Sequence, residues 1–564
     1  MAMRGHPHSD SVGGPAGAPV RRSSLAAGVS LGAAVAIYLA QVALYLPHVN
    51  DDAYITFRYS RFLAVGLGPY FNVGEHVEGY TNFLHMVLMA VAFAVGGESA
   101  VPLAAKIVGI VGGSTGIVLA FLIGRRLVEG SARLASYGAL TGSLAAALVA
   151  VVPGYALNST SGLETTMFAA LLTLGVYLGL RAQTAGAWRG AGVAWAAAAL
   201  TRPEGLPVFA VYWISHLIGS FLPSQRDDPV VAGRRHLVLD GGVVALVVFA
   251  HLAFRYMAYD GELLPNTFYA KAEGFWGTTA WEYVRQGALA PFFGVLGLSL
   301  ALAGWWRSGL MRTGMPVVSV ALFGAFLPFV VGGDWMPGWR FSVPFLPVLA
   351  VVVAAGWVHV LAAGAGARSV VMAGAAVVLV AVSGSTYHHE RVELADHLAL
   401  RAAGYATGHR ALANWIRDEV AAPGDAVALM DIGIVGYYCP EQRILDISGL
   451  TDRHIAKSPG ALLKKEYDPG YVLDQEPKVV VLVISAFGDP RQPLPADARF
   501  GTWIDIENKI YNHPYFRAAY KIDRDATSAS TTTGTLAARF GAERVFEHAH
   551  PDQFYFLAAF VRRP

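Results

Sequence analysis

Apolar runs of roughly 20 residues recur along this chain of 564 residues, and nothing else in it restricts the fold as strongly. At the helical rise, a run of that length matches the hydrocarbon thickness of a bilayer. Charged residues make up only 15% of the chain, against about a quarter in an ordinary soluble protein. The sequence is that of an α-helical polytopic membrane protein. Its net charge of +2 says little, because the placement of Lys and Arg governs orientation. The single cysteine, Cys439, excludes an intrachain disulfide and a Cys-based metal cluster, and is expected to be packed beside a turn. Nothing in the sequence points to nucleic acid.

Residues 1–23, rich in Gly, Pro, Ser and His, are expected to form a disordered cytoplasmic tail. Arg21-Arg22 precedes the first apolar run, residues 24–46, which reads as an uncleaved signal anchor. The stretch 83–97 is too short to span and reads as interfacial or re-entrant. Further spans are expected near 101–123, 134–152, 164–181, 188–201, 204–222, 236–257, 286–305, 313–331, 341–363 and 368–385. These give about eleven transmembrane helices over 24–385. The arrangement gathers Arg125, Arg126, Arg133, Arg181, Arg189, Arg226, Arg234, Arg235, Arg307, Arg312 and Arg368 on the cytoplasmic side, as the positive-inside rule demands.

From residue 386 charged residues and prolines return, and apolar runs shorten to strand length. Residues 426–430, 443–446 and 479–484 read as buried strands and 411–419 as a helix. Residues 386–564 are therefore expected to form a soluble α/β domain on the periplasmic or extracellular side. His388-His389-Glu390 lacks further ligands at recognisable spacing and reads as solvated linker.

Two adjacent carboxylates, Asp51 and Asp52, stand where the first span leaves the membrane. Charge at that depth is costly unless it faces a polar cavity. Residues 53–65 are amphipathic, with Ile55, Tyr59, Phe62 and Leu63 on one face and Arg58 and Arg61 on another. Either acid could cap this helix; neighbours in sequence point different ways, which leaves the other to face a site. The following loop alternates acids, amides and aromatics, with Glu75, His76 and Glu78 among them, a repertoire suited to sugar hydroxyls and equally to a polar turn. Four more outward loops concentrate polarity: Ser161-Gly162-Leu163-Glu164, Arg202-Pro203-Glu204, Pro265-Asn266-Thr267 through Lys271, and Asp334 through Arg340. Arg202 with Glu204, and Asp334 with Arg340, could simply pair. Yet Arg202, Lys271 and Arg340 break the positive-inside trend together, which suits an anionic ligand such as a phosphate.

This ordered set resembles the GT-C glycosyltransferases, multi-span enzymes that use polyprenyl-phosphate-linked sugars and carry an acidic motif in an amphipathic first outward loop. The order Asp51-Asp52, Phe71-Asn72-x-Gly74-Glu75-x-Val77-Glu78, Gly162-Leu163-Glu164, Arg202-Pro203-Glu204, Pro265-x-Thr267-x-x-x-Lys271, Gly333-Asp334 and Arg340 is most similar to terminal β-1,2-arabinofuranosyltransferases of actinobacterial cell walls. Tyr80-Thr81-Asn82, Asp431-Ile432-Gly433 and Asp446 through Leu450 depart from that pattern, the last two resembling broader bacterial relatives of undefined sugar, so arabinose specificity is not carried over. The resemblance covers residues 24–365 best. It implies a lipid-linked donor, a glycan or glycolipid acceptor and inversion at the anomeric carbon, in the cytoplasmic membrane of a bacterium.

For such a transfer Asp52 is the expected base and Asp51 its helper. Glu75, Glu78, Glu164, Arg202, Glu204, Asn266, Lys271, Asp334 and Arg340 are the expected substrate-binding residues, and the cations among them would stabilise a leaving phosphate. A divalent cation is compatible with this chemistry and not required by it. A transporter or flippase is the rival reading; it calls for ionisable groups midway through helices, whereas these stand at helix ends.

Overall fold

The computed structural model describes residues 18–129, 134–185, 187–221, 234–271, 311–331, 336–362, 367–489, 492–522 and 531–563, together with residues 302 and 305. Helix α1 (Ala18–Tyr45) ends just before Pro47, and it begins inside the stretch expected to be a disordered tail. Helix α2 (Asp51–Ala64) follows, then α3 (Phe83–Gly96) and α4 (Ala100–Glu129). Glycines on α4 let neighbouring backbones approach: a Cβ at Gly112 would stand 2.8 Å from the Thr166 carbonyl oxygen, and one at Gly109 would collide with that of Ser159.

The next expected span, 134–152, bends by 63° into α5 (Gly138–Ala150) and α6 (Pro153–Thr160). Pro153 cannot continue the hydrogen-bond ladder of α5, so the chain turns there. Then come α7 (Thr165–Ala185), α8 (Ala191–Thr201), α9 (Gly205–Gly219), α10 (Arg235–Ala258) and α11 (Asn266–Lys271). Beyond the undescribed stretch lie α12 (Met311–Val331) and α13 (Leu346–Ala362), the second being central, with Val348 through Ala355 buried.

Six described helices are long and apolar enough to cross a membrane, or seven if the bent pair counts as one span. This is a multi-pass membrane protein. The described residues do not reach the expected eleven spans. Helices α8 and α9 fall short of a full span, and the expected span 286–305 lies outside the described residues except for two positions. Helix α3, shorter than a full span, is tied at both ends to other parts of the protein. At its start Asn82 bonds Glu164, and beyond its end the Glu98 carbonyl accepts from Tyr437 of the soluble domain.

No linker separates the membrane and soluble parts. Helix α14 (Ala367–Gly404) runs through the expected boundary at 385/386, and His388, His389 and Glu390 are helical. The chain continues through a π turn and α15 (Ala411–Trp415) before the first strand. Strands β1 (Ala426–Leu429), β2 (Arg443–Asp446), β3 (Val479–Phe487), β4 (Arg544–Glu547) and β5 (Gln553–Val561) form one sheet in the order β2-β1-β3-β5-β4. β1 is parallel to β2 and β3, while β5 is antiparallel to β3 and β4. Short helices α16 (Ile432–Tyr438) and α17 (Arg453–Lys457) follow β1 and β2.

One sheet face packs on the domain's own helices. The other, with Val427, Leu429, Val481 and Val483, forms a common core with Ile55, Tyr59, Phe71 and Met86 of the first outward loop. The apolar face of α2 joins this core through α16, whose Ile432 and Val435 belong to the same cluster. Each such side chain removed from water contributes about 1.5–3 kcal/mol, which welds the two parts together.

Candidate active site at the domain junction

Neither aspartate caps α2. Asn50 does: its side-chain oxygen accepts from the Asp52 amide at 3.0 Å. This frees both carboxylates from the cap, and because side chains on adjacent helical positions diverge, they serve different neighbours.

Asp51 faces the soluble domain. Its two oxygens accept the backbone N–H groups of Ile434 (2.7 Å) and Gly433 (3.1 Å), the exposed donors at the start of α16. Two turns along α2, Arg58 meets the other end of the same helix. All five of its N–H groups are used, on the carbonyls of Phe71, Gly436, Cys439 and Gln442 and on the Asn72 side chain. An acid seven residues before a base matches a helix of seven residues lying alongside in the same direction, negative charge at its positive pole and positive at its negative pole. Gly433 and Gly436 make the approach possible, since a Cβ at Gly433 would collide with the Asp51 backbone. Arg58, expected on an exposed polar face, is 1% exposed.

Behind this contact lies a buried polar cluster. His409 bonds Asp431 at 3.0 Å, Tyr555 donates to the same carboxylate, and the rings of His548 and Tyr405 pack around His409. Burial pushes the Asp51 carboxyl up, to about 6, against the pull of His409 and the Ile434 N–H. Burial works the same way on Asp431, but the bonds from His409 and Tyr555 prevail and hold it below the usual carboxylate value.

Asp52 shares a helix face with Thr56, four residues on. Thr56 donates to the Asn82 side chain at 3.1 Å, Asn82 donates to Glu164 at 2.7 Å, and Glu164 is bonded to Arg202 at 2.7 Å. Arg202 also holds Glu204 at 2.6 Å. Glu164 and Arg202 are both buried. Gly162 allows this approach: its left-handed φ of 82° turns the chain, and a Cβ there would meet Val49 at 2.8 Å and Ala53 at 3.0 Å. The last outward loop closes the group. Met336 lies against the Asn50 side chain, the Gly338 carbonyl accepts from Asn158, and the guanidiniums of Arg340 and Arg202 both flank the Phe341 ring, at 5.2 and 5.8 Å. Trp339 holds a left-handed φ of 59°, an uncommon conformation for a bulky residue, in the middle of that loop.

The structure therefore gathers Asp52, Glu164, Arg202, Glu204 and Arg340 around the start of α2. It does not bring Glu75, Glu78 or Asn266 into that network. Glu78 is buried against Arg255 at the end of α10; burial drives its carboxyl up to about 7, with Arg255 opposing. The Asn266 amide donates to the carbonyls of Gly449, Leu450 and Asp452, tying α11 to the loop after β2. Glu75 accepts from Arg443 and Asn72. Lys271 is exposed at the end of α11, a helix packed on α17. Asp334 lies outside the described residues. Among the described residues, no group of three or more His, Cys, Asp or Glu is placed to hold a metal ion.

Asn50, Thr56, Asn82, Arg58 and the Asp431–His409 pair were not singled out as site residues. The cap at Asn50 is local, an Asn directly before a helix, and the Asp431-Ile432-Gly433 string was a second local signal; the other roles depend on partners tens to hundreds of residues away.

Comparison with solved structures identifies the architecture. ArnT from Cupriavidus metallidurans, bound to undecaprenyl phosphate, aligns with a TM-score of 0.54 at 16% identity, covering 81% of this chain and 92% of that one. The archaeal oligosaccharyltransferase AglB from Archaeoglobus fulgidus, in complex with an inhibitory peptide and a dolichol-phosphate, aligns with a TM-score of 0.52 at 11% identity, covering 95% and 88%. This is the GT-C fold. Residues 396–537 match a family described as a domain of unknown function, DUF8728. No curated protein matches the chain in sequence.

Proposed function

We propose that this protein is an inverting glycosyltransferase that moves a sugar from a polyprenyl-phosphate donor to an acceptor hydroxyl at the outer face of the cytoplasmic membrane. The observation that carries the reading is the Asp52 face of α2, a carboxylate in line with the buried Thr56–Asn82–Glu164–Arg202 chain and beside the Arg340 loop. Two structures of the same fold contain polyprenyl phosphates of the kind such a donor would carry.

In the reaction, Asp52 takes the proton of the acceptor hydroxyl as its oxygen bonds the anomeric carbon. The phosphate leaves with the electron pair of the breaking C–O bond. It needs charge stabilisation more than a proton, and Arg340 is the cation assigned to it. Arg202 is committed to Glu164 and Glu204, so it orients those acids toward substrate hydroxyls. Asp51, holding two amides of α16, positions the helix that carries Asp52. A divalent cation would act, if at all, beside the donor phosphate.

The test is transfer from defined polyprenyl-phosphate sugars by the purified protein in lipid nanodiscs. The motif order makes the arabinofuranosyl donor the first to try. Asp52→Asn should slow transfer by about 10²–10⁴-fold, the usual contribution of a positioned base. Wild-type transfer by that variant would remove Asp52 from the mechanism. Movement of an unaltered lipid-linked sugar across vesicles, with none consumed, would make the protein a flippase.

A further inference from the structure

A cleft of about 680 Å³ opens between the membrane and soluble parts, away from the residues of the Asp52 network. Residues 74–77 of the first outward loop form one wall, Asp260 beyond α10 another, and Arg443, the stretch 451–458 and Tyr471 of the soluble domain the rest. We infer that this cleft binds a neutral saccharide chain.

Its charges are matched in advance. Arg443 bonds Glu75 at 2.6 Å, Lys457 bonds Glu262 at 2.5 Å, and Asp260 meets both His76 at 2.9 Å and Arg453 at 3.5 Å. An ion of either sign would have to displace one of these partners. What the paired groups still offer is an alternating lining of donors and acceptors. A sugar hydroxyl is both donor and acceptor, and successive hydroxyls along a chain suit such a lining without adding charge.

Ring faces complete the chemistry. His454 stacks on Tyr471 with centroids 4.2 Å apart, and Tyr70 stacks on His76 at 4.5 Å. The Tyr471 hydroxyl is fixed on Asp452, so that ring is held in place. Flat, restrained rings take the C–H face of a pyranose or furanose at small entropic cost.

Asp260, just past the end of α10, lines the cleft with its carboxylate on His76 and Arg453. The soluble-domain wall brackets β2, with Arg443 at the start of that strand and residues 451–458 beyond its end. That the bound chain is the acceptor rests on the transfer reaction proposed above; saccharide binding itself does not.

Full-length protein in nanodiscs should be titrated with neutral linear oligosaccharides of arabinofuranose, glucose and mannose, with binding followed by saturation-transfer NMR. At least one should bind. Tyr471→Ala and His454→Ala should each weaken it roughly tenfold, the loss of one stacking contact. His454 is exposed, so its variant folds even if that of Tyr471 does not. The inference fails if none of the three sugars binds, if both ring variants bind as wild type, or if inorganic phosphate displaces the sugar, which would make this an anion site. Because binding is read without turnover, a failed transfer assay leaves this result standing on its own.

Discussion

Replacing Arg58 by Met tests whether the soluble domain holds α2. The substitution keeps the apolar stem and removes five N–H donors at once, leaving the carbonyls of Phe71, Gly436, Cys439 and Gln442 without their cation. Hydrogen bonds from a charged group contribute about 1.5–3 kcal/mol each when both partners are buried. Five of them do not add fully, because water can enter and α16 can shift, and removing one partner of a buried charge network costs about 3–5 kcal/mol. Asp51→Ala orphans two amides at the opposite end of α16 and should cost about 2–4 kcal/mol by the same reckoning. The assay is hydrogen–deuterium exchange of residues 432–442 in the full-length protein. A 3–4 kcal/mol loss speeds exchange through local opening by about 10²–10³-fold. Since both charges hold one helix, the double variant should lose less than the sum of the two. Exchange within threefold of wild type in Arg58→Met would refute the clamp, and with it the positioning role given to Asp51.

Other consequences are as direct. Burial raises the Glu507 carboxyl to about 8, so its contribution is full below the ordinary glutamate value near 4.5 and is lost as pH rises through 8. Above pH 8 that loss is about 4–5 kcal/mol, and Glu507→Gln should flatten the fall in melting temperature between about pH 4.5 and 8. Gly162→Ala forces a side chain into a left-handed position and against Val49 and Ala53, costing about 2–4 kcal/mol and lowering both melting temperature and transfer. Glu164→Gln halves the carboxylate support of the buried Arg202; thermal unfolding should show a loss of about 2–3 kcal/mol, below that of a fully broken buried pair because Glu204 remains.

Much of the soluble domain's parallel core was legible locally. Residues 426–430 and 479–484 are continuous apolar runs and 443–446 an apolar pair between charges, and they became β1, β3 and β2. β4 and β5 escaped: β4 is short and pairs with β5 just after it, whereas β5 pairs along its whole length with β3, far earlier in the chain. Candidate site residues divided by the reach of their side chains. Glu164, Arg202 and Glu204 were found because charge beside a span is conspicuous, whereas Asn82 and Thr56, which link them to α2, are uncharged and ordinary in a loop or helix.

By itself the sequence determined that the chain enters a membrane repeatedly and places acids and cations at the ends of its apolar runs. Hydropathy and charge are additive along the chain, so they can be read residue by residue. The tertiary structure alone decided which acids meet which partners. Helix periodicity said that Asp51 and Asp52 must diverge, but whether each faced lipid, water or protein depended on where α16 docked. That docking turns on two glycines and on an acid and a base spaced to the length of a helix nearly four hundred residues away.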